Sequence, residues 1–105
     1  SGSRRPTAIV AASDLIAAGC LDAAKSNGLR VPDDLAITGF DDNILARFTE
    51  PGLTTVRMPL ADMGRMAVEI LMALIDGDPD HPQSVVLPAE IVVRGSSGGP
   101  SRLLL

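Results

Sequence analysis

The chain has 105 residues, a net charge of −4 and two phenylalanines as its only aromatic residues. A chain of this length forms one domain or part of one, and an apolar content of 46% is enough for a sizeable core. Nucleic-acid binding surfaces need an excess of Lys and Arg and usually several aromatic rings. The composition therefore argues against a chain that binds nucleic acid by itself.

The cysteine count and the hydropathy argue against disulfide-bonded, zinc-thiolate and membrane-spanning proteins. Cys20 is the single cysteine, so an internal disulfide or a zinc site with two or more thiolates is excluded. No apolar run approaches the ~20 residues that span a bilayer, so no membrane partner is expected. Residues 1–5 are predicted to be a tag remnant or linker, because Ser1-Gly2-Ser3 resembles an expression scar.

The first part of the chain predicts a βαβ unit. Residues 7–12 are a continuous apolar run, typical of a strand buried on both faces. Ser13 and Asp14 are placed to cap the helix that follows, and Asn27-Gly28 ends that helix. A second strand covers residues 35–39. Because the strands of a βαβ unit are parallel, Ser13 and Asp41 are expected side by side at the carboxyl edge, where open α/β sheets hold ligands.

The segments that follow are a short helix over residues 43–49 and a third strand over 54–56. Residues 84–94 predict a last strand, which Pro88 interrupts. Residues 95–105 are rich in Ser, Gly and Pro, and are predicted to form a flexible tail.

The most regular pattern is a helix over residues 60–76, ended by Gly77. A polar stripe runs along one side of this helix and apolar residues fill the opposite side. The apolar face is wider than a hairpin could cover, so the helix must pack against a further partner. The stripe consists of Asp62, Arg65, Glu69 and Asp76, and the apolar face of Leu60, Met63, Ala67, Ile70, Leu71 and Leu74.

The main candidate for a site is the segment from Gly39 to Asp42, at the end of the second strand. Gly39 permits a turn or a close approach, and Phe40 offers a flat apolar surface. Asp41 and Asp42 supply acceptor oxygens suited to a hydroxyl-rich ligand. A metal pair, an acid/base pair and a solvated loop end are the alternatives. Neighbouring carboxylates rarely face each other across a bond, as glycoside hydrolysis requires, and no further ligands are spaced for magnesium.

Other residues give no catalytic arrangement. Ser13 lacks a Gly-x-Ser-x-Gly turn, so helix capping is its default role. His81 lies in a polar turn, typical of a surface histidine. Residues 95–99 open no helix, so they do not indicate a phosphate loop. The sequence predicts no enzyme, no metal site and no cofactor.

Six motifs follow one another along residues 6–94. They are PTAI at 6–9, AASDLIAAG at 11–19, GLRVPDD at 28–34, GFDD at 39–42, PGLTTVR at 51–57 and PAEIVVR at 88–94. Together they resemble the C-terminal part of the effector-binding domain in the lactose-repressor/galactose-repressor (LacI/GalR) family of bacterial transcription regulators.

The resemblance implies a parallel-sheet α/β fold of the periplasmic-binding-protein-like type (type I), in part only. Residues 6–94 would supply part of the C-terminal lobe and the last helix of the N-terminal lobe. A small sugar-like effector would bind in the cleft between the lobes of a cytoplasmic repressor. Operator DNA would be bound only through a helix-turn-helix domain, which is not among these residues. A periplasmic sugar-binding protein of an uptake system is the alternative.

The resemblance also implies which residues bind the effector. The family's effector-binding aspartate corresponds to Asp41, and its asparagine before the helix corresponds to Ser13, which lacks the reach of an amide. Apolar residues stand at the positions after the third strand, which favours an effector less polar than a simple sugar. The expected effector-binding residues are Ser13, Phe40, Asp41, Met58, Leu60 and Met63.

Homodimerisation is implied through the first helix and the stretch over residues 45–49. Leu15 and Ala18 share a helix face with Asp22 and Lys25, so an apolar patch lies on an otherwise polar surface. The alternative is that a loop covers Leu15. The expected interface residues are Leu15, Ala18, Asp22, Leu45, Phe48 and Thr49.

Overall fold

The structure is a computed structural model that describes residues 5–99. The chain divides into two compact units: the first combines the residues up to Arg57 with those from Glu90 onward, and the second is Met58–Ala89. The elements are β1 (Ala8–Val10), α1 (Asp14–Ser26), β2 (Ala36–Thr38), α2 (Leu45–Phe48), β3 (Thr55–Arg57), α3 (Leu60–Asp76), β4 (Glu90–Val92) and a 3₁₀ helix (Gly95–Ser97).

The first unit contains the predicted βαβ arrangement. β1 and β2 pair in parallel, with Ile9 opposite Ile37, and α1 connects them. A parallel bridge between Thr38 and Thr54 joins β2 to the start of β3, and β4 pairs with β3 in the antiparallel sense. Because β1, β2 and β3 run in the same direction, their carboxyl ends lie at one edge. This edge carries the loop that follows β2.

Helix α1 has the ends that its sequence predicts. The Ser13 hydroxyl accepts a hydrogen bond from the Ile16 amide at 3.2 Å, which satisfies a free donor of the first turn. At the other end, the Asn27 side chain donates to the Ala23 carbonyl at 2.7 Å, and Gly28 follows with a φ of 73°. One face of α1 is buried in the core of the first unit. The core residues are Ala11, Ala17, Leu21, Ala24, Ile37, Ala46 and Leu53.

Strand β1 is less buried than its apolar sequence predicts. Val10 is 85% exposed, so the expectation of a strand buried on both faces is wrong for these residues. β1 pairs only with β2, and no other element in residues 5–99 covers Val10.

The end of the first unit also differs from the prediction. The last strand is limited to Glu90–Val92 instead of residues 84–94. A flexible tail from residue 95 is wrong as far as residue 99, because Gly95–Ser97 is a 3₁₀ helix and Ser96 is fully buried. The Ser96 hydroxyl accepts a hydrogen bond from the Thr54 amide at 2.9 Å and donates one to the Ile37 carbonyl. Ser96 therefore holds the segment after β4 against β2 and the start of β3. Residues 1–4 and 100–105 lie outside the described part.

The second unit is built on α3, which covers the predicted residues and ends at Gly77 with a φ of 69°. Arg65 joins the polar stripe by ion pairs to Asp62 at 3.4 Å and Glu69 at 2.9 Å. No residue of α3 is buried. An apolar groove of 320 Å³ runs along the helix and is lined by Met58, Pro59, Met63, Met66, Ala67, Ile70, Val85, Leu87 and Ala89. The apolar face that requires a partner thus stays open in the described residues.

We expect Gly39→Ala to destabilise the chain. A Cβ at Gly39 would meet the Asp14 carboxylate, the Asp14 Cα at 3.0 Å and the Ala17 Cβ at 3.3 Å. Overpacking of this kind costs about 1–3 kcal/mol. Gly19→Ala in α1 is the matched control, because its Cβ meets nothing within 4 Å, and we expect a gain of roughly 0.5–1 kcal/mol. Urea unfolding measures both, and a Gly39→Ala chain as stable as the parent would contradict the packing described.

Candidate ligand-binding site

The loop after β2 has an unusual backbone. Asp41 has a φ of 118° and Asp42 a φ of 54°. Residues with a side chain rarely adopt positive φ, although Asp tolerates it better than most. Each such residue costs on the order of 1–3 kcal/mol and persists only where its surroundings hold it. We refer to residues 41–43 as the Asp loop.

A buried carboxylate holds the backbone of the Asp loop. The Asp14 side chain is 1% exposed, and its Oδ1 accepts a hydrogen bond from the Thr55 hydroxyl at 2.6 Å. Its Oδ2 accepts one from the Asn43 amide, also at 2.6 Å. The Thr55 hydroxyl oxygen in turn accepts a hydrogen bond from the Asp42 amide at 3.2 Å. Asp14 and Thr55 together therefore bind two consecutive amides of the loop.

Arginines hold the side chain of Asp42, which is 2% exposed. Arg57 Nε donates to it at 2.7 Å, Arg94 Nη2 at 2.8 Å, and Arg47 lies at 3.6 Å. Burial disfavours the charged carboxylate, but the hydrogen bonds from Arg57 and Arg94 outweigh that cost and lower the pKa of Asp42 to about 2. Asp42 is thus a charged group whose acceptor sites are occupied within the protein.

Three of the expected effector-binding residues lie at the carboxyl edge of the sheet. The Asp14 amide donates to the Phe40 carbonyl at 3.0 Å, which joins the start of α1 to the end of β2. Ser13 and Asp41 flank this bond, as the βαβ argument predicts. Asp41 is exposed, Phe40 is 36% exposed and Ser13 is half-buried. Because Ser13 Oγ already accepts from Ile16, the hydroxyl group can still donate a hydrogen bond, while Asp41 offers acceptors only.

The other three expected residues belong to the second unit. Met58 and Met63 line the apolar groove beside α3, whereas Leu60 is exposed at the first position of the helix and is not part of the lining. The six residues are therefore divided between the two units.

Sequence reasoning missed the group that supports the Asp loop. The sequence predicts only a helix-capping role for Asp14, and it shows Thr55, Arg57 and Arg94 only as parts of motifs. One signal was available: the alternation within TTVR places Thr55 and Arg57 on one face of a strand that ends beside the loop. The reach of Arg94 to a residue 52 positions away carries no local signal.

The predicted dimer surface is exposed. Leu15 is 72% exposed and Phe48 77% exposed, so no loop within residues 5–99 covers Leu15. α1 and α2 lie side by side, with a shallow depression between them. Its lining includes Ala18, Asp22, Phe48 and Thr49. Leu45 is half-buried at the start of α2.

Residues 5–99 contain no group of three or more His, Cys, Asp or Glu side chains that could hold a metal ion. Within the same residues, the helices are too short or too polar to span a bilayer.

The parallel βαβ arrangement of the first unit is accompanied by a match to a known domain family. Residues 1–97 match the periplasmic binding protein-like domain family. The HTH-type transcriptional regulator MalR of Streptomyces coelicolor is 50% identical over 92 residues, which are 87% of this chain and 26% of that protein. The HTH-type transcriptional repressor CytR of Escherichia coli is 40% identical over 92 residues, 88% of this chain and 27% of its own length.

Solved structures agree with these relatives. The complex of the transcriptional regulator CelR with cellobiose superposes with a TM-score of 0.80 at 38% identity, over 86% of this chain and 28% of that one. The lac repressor dimer bound to operator and the anti-inducer ONPF gives a TM-score of 0.77 at 32% identity, over 88% and 28%. The chain thus belongs to the LacI/GalR family, as part of its effector-binding region. It spans about a quarter of the length of the relatives.

We expect Asp42→Asn to reduce the pH dependence of stability in acid. The pKa of Asp42 is about 2 when folded, below the ~3.9 of an unfolded Asp, so its contribution is present above pH ~4 and is lost as the pH falls to ~2. We expect this contribution to the free energy of unfolding to be about 1–2 kcal/mol, because solvent screens the half-exposed Arg57. Hydrogen bonds from Arg30 lower the pKa of Asp34 to about 2 as well, so the difference between variants is the informative quantity.

The measurement is urea unfolding at pH 5 and pH 2.5 of the parent chain, Asp42→Asn and the control Asp41→Asn. Asn tolerates positive φ, so both variants keep the backbone preference of the loop. The control should lose as much stability in acid as the parent. An equal loss in Asp42→Asn would show that the arginine contacts do not stabilise the charged carboxylate.

Proposed function

We propose that this chain is the effector-binding and dimer-forming part of a cytoplasmic, repressor-type transcription regulator, which binds operator DNA through a separate helix-turn-helix domain. The similarity to regulators over nearly the whole chain supports this proposal. The same similarity favours a regulator over a periplasmic protein of an uptake system. It also argues against an enzyme, because the relatives are transcriptional regulators.

The observation that carries the proposal is the exposed Asp41 carboxylate on a rigidly held loop. Asp42 is occupied by arginines, so Asp41 is the carboxylate of this pair that is free to accept hydrogen bonds from hydroxyl groups of an effector. Ser13 would donate one hydrogen bond, and Phe40 would lie against an apolar part of the molecule. A donor, an acceptor and an aromatic surface at one edge suit a sugar or a related compound.

The family resemblance assigns three residues of the second unit to the effector as well. Met58, Leu60 and Met63 offer only apolar atoms, so we expect an effector that carries an apolar substituent or ring face. The complex of a related regulator with cellobiose supports a sugar-like ligand in this family.

We expect Asp41→Asn to weaken effector binding at least about tenfold in the intact regulator, because a hydrogen bond to a charged group contributes about 1.5–3 kcal/mol. A panel of mono- and disaccharides is first screened by thermal shift on the parent protein. Calorimetry with the sugar that stabilises it most then compares the variants. Asp33→Asn is the matched control, an exposed aspartate in the turn before β2, at the opposite end of the strand. Equal affinity of the Asp41 variant and the parent would refute the assignment.

We also expect Leu15→Glu combined with Phe48→Glu to give monomers. Both side chains are largely exposed on adjacent helices, and a charge on each would have to be desolvated in a dimer. Light scattering of the intact protein measures the mass. Val86→Glu is the control, because Val86 is 91% exposed in the second unit and lies outside the proposed interface. A dimer that persists in the double variant would rule out this surface.

A further inference from the structure

The conformation of the Asp loop depends on two side chains to which the proposed function gives no role. Asp14 lies at the start of α1 and Thr55 at the start of β3, and neither is exposed. Every polar atom of these two side chains makes a hydrogen bond: Asp14 Oδ1 to Thr55, Asp14 Oδ2 to the Asn43 amide, and Thr55 Oγ1 also to the Asp42 amide. This connected set of three bonds links a helix, a strand and the loop.

We infer that Asp14 and Thr55 are positioning residues for Asp41, an inference that rests on the proposed role of Asp41 as effector acceptor. Asp41 has a φ of 118° and Asp42 a φ of 54°, conformations that an L residue leaves when nothing holds it. The direction of the Asp41 Cα–Cβ bond follows from the backbone conformation of the loop. Bonds that fix the next two amides therefore fix the point from which the Asp41 carboxylate extends.

Other contacts of the loop cannot replace this set. Arg57 and Arg94 bind the carboxylate of Asp42, which can rotate about its side-chain bonds while the backbone relaxes. The Asp41 amide donates to the Val56 carbonyl at 3.0 Å, which fixes the residue on its N-terminal side only. The Asp42 and Asn43 amides depend on Thr55 and Asp14 alone.

A substitution at Thr55 tests the positioning role more specifically than one at Asp14. Val has nearly the same shape as Thr but no hydroxyl, so Thr55→Val keeps the packing of β3 and leaves the Asp42 amide and Asp14 Oδ1 without their partner. Thr55→Ser restores the hydroxyl. Thr38→Val is the matched control, because it makes the same chemical change on the neighbouring strand and Thr38 makes none of these hydrogen bonds.

The experiment is amide hydrogen exchange by NMR on the 105-residue chain without added ligand, so its result is independent of whether Asp41 binds an effector. The reference is the Leu53 amide, which donates to the Ala46 carbonyl in the core at 2.8 Å. In Thr55→Val we expect the Asp42 amide to exchange at least about fivefold faster while Leu53 is unchanged. In Thr55→Ser and Thr38→Val we expect the Asp42 rate to stay within about twofold of the parent.

Two results would overturn the inference. One is an unchanged Asp42 rate in Thr55→Val. The other is equal acceleration at Asp42 and Leu53, which is what a purely structural role of Thr55 produces. If Thr55→Val does not fold, Asp14→Ala decides by the same criteria at the Asn43 amide, since it removes both acceptor oxygens.

Discussion

The buried carboxylate of Asp14 is the interaction on which the first unit depends. It lies at the start of α1, accepts a hydrogen bond from β3 and another from the loop after β2. Three segments that are distant in sequence thus share one buried carboxylate. Removing a hydrogen-bond partner from a buried polar group costs about 1–3 kcal/mol. Asp14 specifies one arrangement of the three segments, because alternatives leave its buried oxygens without hydrogen bonds.

The buried carboxylate of Asp42, at the same edge of the sheet, is bound by arginines instead of by a hydroxyl and an amide. Asp42 is surrounded by guanidinium groups from α2, β3 and the segment after β4. Its contact with Arg94 attaches the segment after β4 to the loop, and Ser96 attaches the same segment to Thr54. With Asp14 and Asp42 both occupied internally, Asp41 is left exposed between two fixed neighbours. An acceptor on a backbone that is already held in place is suited to ligand binding, because the loop loses little conformational entropy when a ligand binds.

Local patterns predicted most of the elements. The cap at Ser13, the glycine ends of α1 and α3 and the apolar periodicity of α3 are short-range features, so they could be recognised without knowledge of the fold. The errors concern Val10 and Ser96, whose burial depends on what packs over them in three dimensions. A Ser/Gly/Pro-rich segment was interpreted as flexible because composition does not reveal that Ser96 makes two hydrogen bonds inside the sheet.

For the candidate site, the sequence predicted the edge of the sheet at which it lies. It did not predict which of the two aspartates is exposed and which is held by arginines. Asp41 and Asp42 are equivalent in the sequence and become different only through Arg57 and Arg94, contacts that span 15 and 52 residues. Nor does the sequence show that Asp14 is buried, since an acidic residue in the first turn of a helix is also typical of a surface helix.

The most direct test of the account is a crystal structure of the intact regulator with its bound effector. The account predicts that an oxygen of the Asp41 carboxylate lies within about 3 Å of an effector hydroxyl while the bonds from Asp14 to Thr55 and Asn43 are retained. An effector that binds away from the carboxyl edge of β1 and β2, with Asp41 still in solvent, would contradict it.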